Sequence, residues 1–251
     1  MANLFSAVER LEARIAPAVL VNATTLTFTD ADGDFVTLAI SKGTLTAADF
    51  WFDGPVDFGG RQQLRLVDFA GDLDKVGANL TITAEPEGGG NGAVNVGYIN
   101  ALGIDLGKVT LDGDLGRFDA GDVDLSTPAA KRLDAGSIGV AGLDTQQTDG
   151  SLISNLAGPL GALVVGGDFQ NATLLAAGIG RIDIGGDVIG GGLFQSGAIR
   201  ALGGIGPVHV GGDLAGGNGV RSGQIFAAGH RRGGDRRLDR RRRGAEVRPA
   251  R

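Results

Sequence analysis

Residues 179–204 read IGRIDIGGDVIGGGLFQSGAIRALGG, and residues 205–230 read IGPVHVGGDLAGGNGVRSGQIFAAGH. They are one 26-residue unit written twice: Ile179 aligns with Ile205, Ile182 with Val208, Ile184 with Val210, Asp187 with Asp213, and Ser196-Gly197 with Ser222-Gly223. Each unit is too small to bury its own apolar face, so copies must stack on one another.

Upstream the same core phrase recurs, apolar-Gly-x-apolar-x-apolar-x-Gly-Asp-apolar. It stands at 106–115 (LGKVTLDGDL), 160–169 (LGALVVGGDF), 179–188 and 205–214, with a degenerate copy, KRLDAGSI, at 131–138. Anchored on Val109, Leu133, Leu163, Ile182 and Val208, the steps are 24, 30, 19 and 26 residues. A constant phrase at variable spacing fits strands that stack while their loops differ. Period-two alternation means strand, which excludes helical repeats. One copy is also shorter than a propeller blade of roughly 40–50 residues. The sequence therefore predicts an all-β chain with a right-handed parallel β-solenoid (β-helix) over 101–229. Corner glycines are expected to supply φ > 0 turns.

Working outward, residues 1–19 carry Phe5, Val8, Leu11 and Ile15 on one helical face, ended by Pro17, which predicts a short N-terminal helix or sorting signature. Residues 20–100 read as a strand-rich cap. Leu26 and Phe28 on one side and Phe35 and Thr37 on the other flank Asp30-Ala31-Asp32-Gly33-Asp34, a hairpin by its Asp-Gly chemistry. Further strands are expected at 43–52, 61–69, 79–85 and 93–101, with a loop over Glu85–Gly92.

Composition narrows the function. The chain has 251 residues, 46 of them glycine, with no cysteine and 5% aromatic residues. Disulfides, thiolate metal sites and cysteine nucleophiles are excluded. No apolar run reaches the roughly 18 residues of a membrane span, and no secretory signal peptide is readable. Residues 230–251 hold ten arginines against Asp235, Asp239 and Glu246, a balance of +7. The remainder holds 13 basic and 26 acidic residues.

The arginine-rich end is expected to be a disordered, frameshift-derived tail rather than a nucleic-acid arm. With one choice of GC-rich codons for Gly229–Arg243, the frame starting one base later spells Ala-Thr-Gly-Ala-Val-Glu-Ile-Gly-Gly-Ser-Ile-Val-Gly-Gly. That is the repeat phrase, about one repeat beyond Val208. The last coil, near Ala228, is then expected to present an open edge prone to self-association.

Catalysis by histidine is not expected: only His209 and His230 exist, and neither has a Ser and Asp constellation. Asp30, Asp32 and Asp34 offer oxygens at alternate positions, as calcium loops do, but without the closing Glu. They read as a hairpin turn, with calcium the alternative. Asp114, Asp168, Asp187 and Asp213 share one place in the phrase, so stacking would align acids such as Asp187 and Asp213 in a ladder. Either each caps its own turn or cations bridge them. No pair of acids stands out for glycan cleavage. No catalytic residue and no cofactor other than calcium is assigned.

Leu11-Glu12-Ala13-Arg14-Ile15-Ala16-Pro17-Ala18, together with TLTFTDADGDFVTLAISKG, NVGYINALGIDLGKVTLDGDLGRFDAGD and the GGDV/GGDL phrases, resembles bacterial exported or surface β-solenoid repeat proteins with an L-E-P-R-type N-terminal signature. Ala13 stands where that signature has Pro. The resemblance implies an extracellular or cell-surface location and a structural or adhesive, non-enzymatic role. Surface glycans or other envelope proteins are the partners it suggests, without nucleic acid or a transmembrane segment. A carbohydrate-binding or carbohydrate-active β-helix is the alternative.

Overall fold

The computed structural model describes residues 18–53, 61–147 and 150–229. The arginine-rich tail lies outside them, as does the expected N-terminal helix except for its last two residues. Of those two, Val19 already opens a strand. The described residues are mostly strand, and their only helical pieces are 3-10 turns at Ala47–Asp49, Leu73–Lys75 and Gly142–Thr145.

The chain begins as an antiparallel meander of β1 (Val19–Asn22), β2 (Thr25–Thr29) and β3 (Phe35–Ile40). The Asp-Gly turn joins β2 to β3 with Phe28 opposite Val36, as the hairpin chemistry requires. Next come β4 (Phe50–Phe52), β5 (Leu64–Asp68), β6 (Leu80–Glu85) and β7 (Val96–Leu102). The expected strand at 43–52 is cut short because the 3-10 turn takes its middle. β6 closes the meander against β3.

Thereafter every pairing is parallel. β8 (Leu106–Gly121) is long because it serves two ladders, its first part lying beside β6 and its second beside β7. It bends at Gly113, whose φ is +146° and where an added Cβ would sit 2.1 Å from the Val94 carbonyl oxygen. β9 (Ala130–Ile138), β10 (Ile153–Asn155), β11 (Leu163–Val165), β12 (Phe169–Gln170) and β13 (Thr173–Ala176) follow. After them come β14 (Ile182–Ile184), β15 (Val188–Ile189), β16 (Ala198–Ala201), β17 (Val208–Val210), β18 (Leu214–Ala215) and β19 (Gln224–Ala227).

With β5, β6 and β7 they form three parallel ladders: β6-β8-β9-β11-β14-β17, β5-β7-β8-β9-β12-β15-β18 and β10-β13-β16-β19. Register in the first runs Leu80↔Val109↔Leu133↔Leu163↔Ile182↔Val208. From Val109 onward these partners are the residues on which the phrase aligns. The parallel ladder reaches back to Leu80, upstream of residue 101, by backbone pairing of LTITAE with β8; that strand has the alternation but not the glycines that mark the phrase.

Alternation sends Leu133, Leu163 and Ile182 inward, where one apolar core joins them to Phe169, Val188 and Ile199. In the last described layer the equivalent Val208 is 47% exposed, against 2% for Ile182.

The glycines of Gly-Gly-Asp are there for a different reason than φ > 0. An added Cβ on Gly186 would sit 2.1 Å from Asp168 Oδ1, and one on Gly212 would sit 1.9 Å from Asp187 Oδ1. Close approach of the preceding layer requires glycine there. Positive φ belongs to the Ser-Gly pairs instead, with Gly197 at +65° and Gly223 at +58°.

Candidate functional site

The acidic ladder stands in position, and its aspartates accept backbone N–H groups as the capping expectation has it, though not those of their own turn. Asp168 Oδ1 accepts the Asp187 N–H at 2.8 Å, and Asp187 Oδ1 accepts the Asp213 N–H at 2.7 Å. Each carboxylate bonds the backbone of the next layer rather than its own turn. Asp114 does the same more extensively, accepting from Ser137 Oγ, Val140 N–H and Ala141 N–H. A charge that receives backbone donors tolerates a like neighbour without a bridging cation. His209 stands outward and opposite Asp183, with Nδ1 3.2 Å from Asp183 Oδ1.

Asp30, Asp32 and Asp34 do come together, with one ligand atom from each lying within 4.8 Å of the others. Their oxygens are mostly used. Asp30 Oδ1 accepts the N–H groups of Asp32, Gly33 and Asp34 and so closes the hairpin. Asp34 is fully buried, and its two oxygens accept from Glu87, Gly92 and Ala93. Asp32 takes the Asn91 N–H at 3.3 Å. The cluster is a latch between the hairpin and the 86–93 loop, and a divalent cation would have to compete with these bonds. The remaining acceptor lone pairs of Asp30 and Asp32 are the groups that could hold one.

Burial, followed by its hydrogen bond with Asp32, raises the Asp30 pKa from the ordinary 3.8 to about 7. Between those values the folded chain binds a proton that the unfolded chain has released, so stability falls as pH rises through that window. The slope for one proton is about 1.4 kcal/mol per pH unit. Asp30→Asn keeps an acceptor for the three N–H groups and has no proton to lose. Urea unfolding from pH 4.5 to 7.5 should show the decline in the parent and a flatter profile in Asp30→Asn. Parallel profiles would remove Asp30 as the titrating group.

Two further clusters escaped the sequence. Lys75 is fully buried and bonds Asp72, with Asp49 at 3.5 Å and Asp74 at 3.7 Å, and its ammonium lies 5.2 Å from the Phe69 ring centroid. Burial alone would lower the Lys75 pKa, but its bond to Asp72 and the charges of Asp49, Asp72 and Asp74 together raise it. Lys75 is a structural pin joining two 3-10 turns.

The other cluster lies on the outward surface of β4, β5, β7 and the second part of β8. Register sets Trp51, Leu66, Tyr98 and Arg117 in one row and Asp68, Asn100 and Asp119 in the next. Tyr98 donates to Asp119 Oδ2 at 2.7 Å, Arg117 bonds the same carboxylate and lies over the Tyr98 ring, and Asp119 Oδ1 accepts the Asn155 N–H. Burial and the bond to Asp119 push the Tyr98 phenol above its ordinary range. Asp119 is thus committed three times and is unsuited to proton transfer. At the row's edge a cavity of about 150 Å³ is lined by Trp51, Asp53, Arg65, Gln146 and Gln147. None of these residues carries the repeat phrase, so periodicity could not point to them.

Comparison with protein-family models, with curated proteins and with solved structures finds no match to the chain. Among the described residues no helix is long and apolar enough to cross a membrane.

Proposed function

We propose that the three parallel ladders are the faces of a right-handed parallel β-solenoid, and that the chain is a non-enzymatic structural or adhesive repeat protein of the bacterial cell envelope or exterior. Parallel crossovers are right-handed in about 98% of cases, which supports the hand. The observation that carries the functional reading is the use made of the acids. Asp114, Asp168 and Asp187 serve as acceptors from layer to layer, which binds the stack together and removes them from chemistry. Stacking of this kind yields long, stiff surfaces suited to structural and adhesive work.

A second reading, a carbohydrate-binding or carbohydrate-active protein, is favoured by one observation: the row of Trp51, Tyr98 and Arg117, with Asp119 in the row beside it, is aromatic and charged, and it does not recur. Two measurements decide between them. Brief protease shaving of intact source cells should release peptides of this chain, and retention of all of them until lysis would overturn the envelope location. Incubation with polysaccharides should release no new reducing ends, whereas release that is lost in Asp119→Asn would make the chain an enzyme.

A further inference from the structure

We propose that Trp51 and the polar groups beside it form a binding subsite for a neutral saccharide, which would give the adhesive reading a ligand class. The argument starts from strand alternation. Phe50 and Phe52 pack against the core, and Phe52 meets Phe28 edge-on at 4.9 Å. Trp51 between them is therefore driven outward, and it is 57% exposed. An exposed indole gives up an apolar, polarizable face to water, and that face matches the C–H face of a sugar ring.

The groups around it are held in place by a break in register. Trp51 pairs with Leu66, but Phe52 pairs with Leu64, so β5 carries one extra residue, Arg65. Such bulges re-aim a side chain. Arg65 is thereby turned toward the cavity wall, where Nε donates to Asp53 Oδ2 at 2.7 Å and its other nitrogens bond Asp53 and the carbonyls of Asp144 and Gln146. The guanidinium is neutralised and locked before any ligand arrives. Among the described residues no donor bonds Asp53 Oδ1, which can serve as an acceptor. Gln147 Nε2 is buried with no partner among the described residues, and a buried donor of this kind gains from a hydroxyl.

The electrostatics select the ligand. The Arg65–Asp53 pair is neutral overall, so neither an anion nor a cation finds an unmatched charge. A nucleic-acid strand could also stack on Trp51, but its phosphates would face a body with 26 acidic and 13 basic residues over 1–229. Mixed donors and acceptors beside an apolar plate suit an uncharged polyol ring. Tyr98 lies two strands away along the same row, roughly 10 Å at the usual strand spacing. A chain of several sugar units is therefore the ligand expected.

Trp51 is the only tryptophan of the chain, so intrinsic fluorescence reads this site alone. Purified protein is titrated with cellohexaose, maltohexaose and chitohexaose, and in parallel with heparin and single-stranded DNA. The expected result is a saturable blue shift and protection from acrylamide quenching with at least one neutral hexasaccharide. Calorimetry should then show at least a tenfold loss of affinity in Trp51→Ala, with its melting temperature unchanged, and a smaller loss in Asp53→Asn, which also gives up the pair with Arg65. No response to any neutral hexasaccharide, a response to the polyanions alone, or unaltered affinity in Trp51→Ala would each overturn the proposal. Such a failure leaves the envelope reading intact, because shaving of intact cells decides that separately.

Discussion

Ile182→Asp should cost about 4 kcal/mol or more, a large share of the roughly 5–15 kcal/mol that holds a typical domain folded. Ile182 is 2% exposed and stacks between Leu163 and Val208 in register, with Ile184 buried two residues on. A carboxylate there has apolar neighbours above and below and sits within the apolar core. The folded pKa of the new acid would rise. The deficit should therefore grow as pH rises from 4 to 7 and shrink as pH falls, the mark of a buried charge rather than of a cavity. Ile182→Val, which removes one methylene, should cost about 1 kcal/mol. Arg181→Asp places the same charge on an exposed neighbour and should lie within about 0.5 kcal/mol of the parent. Urea melts at pH 4.5 and 7.5 give all three values. If Ile182→Asp proved mild and Arg181→Asp costly, the strand would have to be slipped by one residue, since such a slip exchanges the buried and exposed faces.

The expectation for Ile182 was legible because alternation and repetition are both written locally. A period of two assigns the face, and the recurring phrase assigns the register. Together they place Leu133 opposite Leu163, and Leu163 opposite Ile182, without any knowledge of loops. Other features were not legible, for three physical reasons. LTITAE at β6 has only its alternation, so its place in the same ladder depends on backbone pairing with β8.

Lys75 reads as one more polar residue in a turn. Its burial requires Asp49 from a segment far upstream, and no local pattern encodes such a contact. The Trp51 site depends on a single extra residue in β5. A bulge changes which way Arg65 points while leaving composition and periodicity almost untouched. The corner glycines were legible: Gly121, Gly139, Gly197 and Gly223 do take φ > 0. What the sequence did not separate from them is the Gly-Gly of the phrase, where Gly186 and Gly212 are glycine because the preceding layer's aspartate lies against them. Thus the Gly-Gly and the Asp of the phrase belong to one device: each Asp reaches the next layer, and each Gly leaves room for the Asp before it.

Asp34→Ala should detach the 86–93 loop from the hairpin and lower stability by about 3–5 kcal/mol. Asp34 is fully buried, and its oxygens accept the N–H groups of Glu87 at 3.2 Å, Gly92 at 2.6 Å and Ala93 at 3.2 Å. Hydrogen bonds to a charged acceptor contribute about 1.5–3 kcal/mol each, and buried donors left without a partner add their own desolvation cost. The loop sequence Pro86-Glu87-Gly88-Gly89-Gly90-Asn91-Gly92 cannot hold itself, because four glycines give it wide backbone freedom when free. The carboxylate is what fixes it. Gly90→Ala attacks the latch from the other side, since an added Cβ would sit 1.8 Å from Asp34 Oδ1. It should reproduce the loosening with Asp34 still present. Limited proteolysis with an enzyme that cuts after Glu should then cleave at Glu87 in both variants and spare the parent, while urea melts record the loss of stability. The two variants should not be additive when combined, because they break one contact. Full additivity, or resistance of Glu87 in both, would show that the loop is held by something other than Asp34.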